Sequence, residues 1–260
     1  MNDARRHDRN GLILIVGCLV LLGLGIAFAG LMQALEPKRD PVTLCPEGKA
    51  VAGHFVVLFD RTDPMSDLQR QRALDELHSI ERSRLRPGEL LSVWAIGDYE
   101  EGTVRCLFSR CYPGREAHAL WENPAFIGAA CDSLFTKPLD SALASLPREE
   151  RASRSPIMSA IREISEQPEF TEVHGPREIV LISDLMENTA AFSLYRNRPD
   201  FQLVRTLRAH DKTRADLRGV IVNVLYVGRR DNQVSTADLL EFWQAYFADC
   251  HAAAVRFHRL

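Results

Sequence analysis

The stretch VVLFDRTDPMS, residues 56–66, decides the fold. Four apolar β-formers, Val56 to Phe59, run unbroken into an aspartate, and polar turn residues follow at once. Such a run is what a strand covered on both faces presents, as in the middle of a parallel sheet wrapped by helices. A carboxyl group at the end of that strand is costly in an apolar setting unless it is hydrogen-bonded, paired or put to use. Asp60 is therefore the first candidate functional residue, and Thr62 beside it the second.

The pattern continues outward as strands alternating with helices. Ser66-Asp67-Leu68-Gln69 reads as a capping box, and the helix it opens buries Ala73, Leu77 and Ile80 before stopping at Pro87-Gly88. Leu90 to Ile96 and Thr103 to Phe108 read as the next two strands. Residues 112–153, with four prolines, read as irregular and as an insertion that carries a partner's specificity. A helix is predicted from Ser155-Pro156, the serine as cap and the proline in the first helical position, with Ile157, Ile161 and Ile164 buried. EIVLIS, residues 178–183, is a further buried strand ending at Asp184, and Asp184 to Asn188 reads as a loop with a helix cap. A helical stretch around Leu203 to Leu207 leads to the strand GVIVNVLYVG, residues 219–228. Ser235 opens a last helix, whose Phe242, Trp243, Tyr246 and Phe247 read as a core face, and residues 253–257 close the sheet. The expectation is an α/β fold, doubly wound, a mostly parallel sheet with helices on both faces. Ligands of such folds gather at the carboxyl ends of the strands, where Asp60 and Asp184 both fall.

The start of the chain differs in kind. From Gly11 to Leu35 no residue is charged, and roughly 20 apolar residues suffice to cross a bilayer as a helix. One N-terminal transmembrane helix is expected over 11–35, after a cytoplasmic tail at 1–10 and before a linker at 36–53. Ala27-Phe28-Ala29 resembles a signal cleavage site, yet the apolar run continues past it. Arg5, Arg6 and Arg9 precede the span and Lys38 and Arg39 follow it, which places the N-terminus in the cytoplasm and the domain at 54–260 on the periplasmic or extracytoplasmic side. Of six cysteines, five lie beyond the span, and Cys106 with Cys111 is the expected local bridge. A net charge of -3 gives no sign of a nucleic-acid partner, and His54, His174, His251 and His258 are scattered as structural or surface residues.

Asp60, Thr62, Ser155 and Asp184 are hard oxygen donors, suited to magnesium, manganese or calcium. Here the sequence resembles the von Willebrand factor type A family. Its metal-ion-dependent adhesion site has an aspartate in a D-x-S-x-S motif after the first strand, a threonine before a later helix, and an aspartate after a following strand. Asp60-Arg61-Thr62-Asp63-Pro64 is similar to the first element, Ser155-Pro156-Ile157 to the second and Ile182-Ser183-Asp184 to the third. The resemblance covers residues 54–260. It implies a non-enzymatic interaction module at the cell envelope, holding magnesium (or manganese or calcium) through Asp60, Thr62, Ser155 and Asp184, with one coordination position open to a partner protein's carboxylate. Pro64 stands where the second serine belongs and offers no side-chain oxygen, so a metal-free scaffold is the alternative. FDRTDP also resembles haloacid dehalogenase-type phosphatases, with Asp60 as nucleophile. Against that, Thr62 replaces the acid/base aspartate, and Arg229 replaces the first acid of the magnesium motif.

Overall fold

The structure is a computed structural model that describes residues 15–28, 30–31, 38–48, 50–62, 65–99, 102–115, 124–145, 153–229 and 234–260. The chain divides into two units, Met1–Arg39 and Asp40–Leu260. In the first, residues 15–28 are helical, and Ile15, Leu19, Leu22, Ile26 and Phe28 are all more than half exposed. Among the described residues no helix is long and apolar enough to cross a membrane. The span expected over 11–35 and the tail at 1–10 extend outside the described residues.

In the second unit six strands form one sheet in the order β3-β2-β1-β4-β5-β6. They are β1 (His54–Asp60), β2 (Leu90–Tyr99), β3 (Gly102–Cys111), β4 (Arg177–Ser183), β5 (Val220–Tyr226) and β6 (Ala254–Arg259). Every neighbouring pair is parallel except β2 and β3. All seven residues of β1 are buried, as its apolar run predicts. Alternation along it sends Val56 and Leu58 into one core and Phe55, Val57 and Phe59 into the other. The first core is covered by α4 (Ile157–Ser165) and α7 (Thr236–Asp249). The second is covered by α1 (Asp67–Ser83) and by α2 (Pro124–Cys131) and α3 (Lys137–Ala144). The sheet is thus doubly wound. Two shorter helices, α5 (Pro168–Thr171) and α6 (Phe201–Thr206), also belong to this unit.

The caps at Ser66 and Ser235 form as read, the first as a full capping box with Gln69. His54 ties three elements together: Nδ1 lies 3.0 Å from the Glu169 carbonyl and Nε2 2.7 Å from Ser92 Oγ. Burial pushes its pKa down to about 4, so the neutral ring donates from Nδ1 and accepts from the serine hydroxyl.

Three expectations change. Residues 124–144, read as irregular, are helical: Pro124 opens α2, where its missing amide costs nothing. A five-residue π-helical segment, Asp132–Thr136, precedes Pro138, and the Leu134 carbonyl, which the proline has no N–H to serve, accepts from Arg110 Nη1. The expected Cys106–Cys111 bridge is replaced by Cys45–Cys111, with Cα atoms 4.9 Å apart. Both Cys106 and Cys111 lie on extended β3, five residues apart, roughly 16 Å and beyond disulfide reach. The stretch read as a linker is held to the body from Asp40 onward, by that bridge and by Cys111 N–H donating to the Thr43 carbonyl at 2.8 Å.

A bridge between residues 66 apart removes about 4 kcal/mol of unfolded-chain entropy in the loop-closure description. Replacing Cys45 and Cys111 by serine together is expected to lower stability by roughly that amount in urea titrations. An unchanged midpoint would show that the bridge is dispensable to the body.

Candidate functional site

The carboxyl ends of β1 and β4 meet at the centre of the sheet, where connections leave in opposite directions, the position at which doubly wound folds collect ligands. Asp60 closes β1 there and is 4 % exposed. Its Oδ1 accepts from the Thr62 amide at 3.0 Å and the Thr62 hydroxyl at 2.6 Å. Its Oδ2 accepts from Ser183 Oγ at 2.6 Å and from Ser155 Oγ at 3.4 Å. One carboxyl group therefore joins the loop after β1, the end of β4 and the approach to α4. Ser183, not among the candidate site residues of the sequence, makes the shorter of the two hydroxyl bonds to Oδ2.

Ser155 does not cap α4. The helix begins at Ile157 with Pro156 in the cap position and no side-chain cap bond from it. The backbone of Ser155 instead exchanges two hydrogen bonds with Asn188, 2.8 and 2.9 Å, an extended pairing that turns its hydroxyl toward Asp60. The helix end is served by Glu187, whose Oε2 accepts from the Met158 amide at 2.9 Å. The cap expected in the loop 184–188 is thus present, but it serves a helix 29 residues earlier in the chain. Burial pushes the Glu187 carboxyl up to about 8, and nearby Asp60 adds to that, against the helix amides of Met158 and Ile157 and the charge of Arg154.

The turn after β4 is bent by Leu185, a fully buried residue with φ of 64°. A non-glycine residue in the left-handed region costs on the order of 1–2 kcal/mol and persists only when its surroundings hold it. Here Ser183 Oγ accepts from the Leu185 amide at 2.8 Å, and the Trp243 indole N–H donates to the Leu185 carbonyl at 2.8 Å. The bend sends Glu187 to α4 and Asp184 toward the loop after β5. Asp184 Oδ1 accepts from the Met186 amide at 3.0 Å, and Oδ2 lies 3.0 Å from Arg229 Nε. Arg229 Nη1 donates to the Tyr195 hydroxyl at 3.0 Å.

The four residues singled out in the sequence therefore converge, Asp60, Thr62 and Ser155 in direct contact and Asp184 on the neighbouring turn. Asp63 and Pro64, on which the comparison with D-x-S-x-S turned, lie outside the described residues. Asp60, Thr62 and Ser155 supply the hard oxygens a divalent cation needs. Asp184 does not complete the set: a metal ion would sit about 2 Å from its oxygen, and a guanidinium is already 3.0 Å from that same oxygen. Like charges about 4 Å apart repel by about 4 kcal/mol at an effective dielectric of 20, and a doubly charged ion by twice that. Among the described residues, this set does not fit a divalent ion. Among the described residues no group of three or more His, Cys, Asp or Glu is placed to hold a metal.

No family model and no curated protein matches the chain. Solved structures do. The ArnB paralog VWA2 from Sulfolobus acidocaldarius is 14% identical with a TM-score of 0.42, covering 82% of this chain, which spans 44% of that one. An aerotolerance-related membrane protein from Bacteroides fragilis is 14% identical with a TM-score of 0.35, covering 79% of this chain and 90% of its own. The conserved hypothetical protein BatB from Bacteroides thetaiotaomicron is 12% identical with a TM-score of 0.38, covering 80% and 90%.

Glu187 gives the site a pH signature. Its folded pKa lies above the ordinary carboxyl value of 4.5, so its stabilising contribution is complete below that pH and is lost as pH rises toward about 8. Glu187→Gln, which stays neutral, should gain stability relative to the parent protein as pH goes from 5 to 8, by on the order of a few kcal/mol. Parallel pH dependences for the two proteins in chemical denaturation would show that Glu187 is not buried in this way.

Proposed function

We propose that the chain is a membrane-tethered interaction module with a von Willebrand factor type A-like domain, whose partner surface is the crown of loops at the carboxyl ends of β1, β4 and β5. The observation that carries this reading is the state of Asp60. Its two oxygens accept three hydroxyl bonds and one amide bond from its own chain. A carboxyl group held in this way is a poor nucleophile, which speaks against attack on phosphate and for a role in fixing the loops. Those loops present a surface of the kind found at interface centres, where tyrosine and arginine are enriched. Tyr195 is half exposed at the crown, in contact with Arg229.

The tether is the uncharged run from Gly11 to Leu35, whose helical part at 15–28 is apolar on every side and exposed. A helix with no polar face is suited to lipid or to a protein core, and not to water. The Cys45–Cys111 bridge supports an oxidising location for the body, consistent with the three arginines of the N-terminal tail staying in the cytoplasm.

The test is photocrosslinking in intact cells from a reactive residue placed at Tyr195, compared with the same group at Glu172, an exposed position after α5, by the amino ends of the strands. A discrete protein adduct from Tyr195 alone is expected. Identical adducts from both sites, or none from Tyr195, would remove the crown as the partner surface.

A further inference from the structure

We infer that Arg229 takes the place of the divalent cation that the resemblance implies, so that the crown is closed by a guanidinium supplied by the chain itself. The inference rests on the site geometry and is independent of whether a protein partner binds there.

Three features place Arg229 for this role. Its Nε lies 3.0 Å from Asp184 Oδ2, the oxygen of the expected ligand that faces away from the Met186 amide. Asp184 is almost wholly buried, with its side chain 2% exposed against 26% for the arginine, so the pair sits where a carboxylate needs a positive partner. The backbone leading to Arg229 is itself anchored. Val227 N–H donates to the Ser183 carbonyl at 2.9 Å, and Gln69 Nε2 donates to the Gly228 carbonyl at 2.9 Å. Gln69 is also the reciprocal member of the capping box that starts α1. The position of Arg229 is therefore fixed by β4 and by the first helix together.

The arrangement does mechanically what a metal would do. A cation at the carboxyl ends of the strands draws loops together, and Arg229 does so by tying the loop after β5 to the loop after β4. A guanidinium has a fixed planar set of donors and its charge cannot be lost near neutral pH. It reaches Asp184 on one loop and Tyr195 on the same loop's far side, and it is not removed by chelators. Divalent ions are then excluded by charge and by occupation of Asp184, while the oxygens of Asp60, Thr62 and Ser155 stay in place as the remainder of a latent site.

The consequence can be read as a gain of binding. Calorimetric titration of manganese chloride into the detergent-solubilised full-length protein should show no saturable uptake by the parent chain. Arg229→Ala should show saturable uptake of manganese, at least about tenfold tighter than the weakest binding the titration detects, and adding Asp184→Asn should abolish it. Arg229→Lys, which keeps the positive charge, should stay inert. Saturable binding by the parent protein, or a folded Arg229→Ala that binds no better than the parent, would overturn the inference. If circular dichroism shows that Arg229→Ala has not folded, Arg229→Gln removes the charge while keeping a donor for Asp184, and the same two outcomes decide.

Discussion

The second unit depends on one carboxyl group. Asp60 ends the central strand in a setting where an unsatisfied carboxylate would be prohibitively costly, and the bonds that relieve this cost come from three parts of the chain. Thr62 brings back the loop after β1, Ser183 fixes the end of β4, and Ser155 draws in the segment ahead of α4. The parallel register of β1 with β4 runs from His54 opposite Arg177 to Phe59 opposite Ile182, so Asp60 and Ser183 end the two strands side by side. Register and hydrogen bond support each other, because a one-residue slip would move the hydroxyl to the opposite face.

Around that junction the chain accepts local strain and holds it from outside. Leu185 adopts a conformation that costs free energy by itself, and α7 meets it with the Trp243 indole. Trp243 is fully buried among Phe242, Tyr246 and Phe247, and Tyr246 in turn donates to the Met158 carbonyl in α4 at 3.3 Å. The aromatic face of the last helix is thus core, as its spacing predicts, and it is also the support on which the turn carrying Asp184 and Glu187 is bent. The crown is built from loops but rests on rigid elements, which is what a surface needs if recognition is not to be offset by ordering its own backbone.

What was legible in the sequence follows from the range of the interactions. β1, β4 and β5 are apolar runs whose burial is written in consecutive residues, and Ser66 and Ser235 cap helices three residues away. The gathering of Asp60, Thr62, Ser155 and Asp184 follows from strand-end positions once a parallel sheet is assumed. The cap on α4 was not legible: Ser155 has the right chemistry in the right place, but pairing with Asn188 withdraws it, and Glu187 arrives from the loop beyond the end of β4. The pairing of Arg229 with Asp184 spans a helix-bearing connection and one strand, β5, and the Cys45–Cys111 bridge spans 66 residues. No local signal announces either one. The helices within 124–144 were hidden by their prolines, which read locally as breakers of regular structure.

The central claim is that the bond between Asp60 and Ser183 couples the two middle strands. A double-mutant cycle of Asp60→Ala and Ser183→Ala, measured by chemical denaturation, tests it most directly. A hydrogen bond to a charged acceptor contributes about 1.5–3 kcal/mol, so a coupling energy of about 1.5 kcal/mol or more is predicted. Additive effects of the two substitutions would contradict the account, and would leave Asp60 as an ordinary residue at the end of a strand.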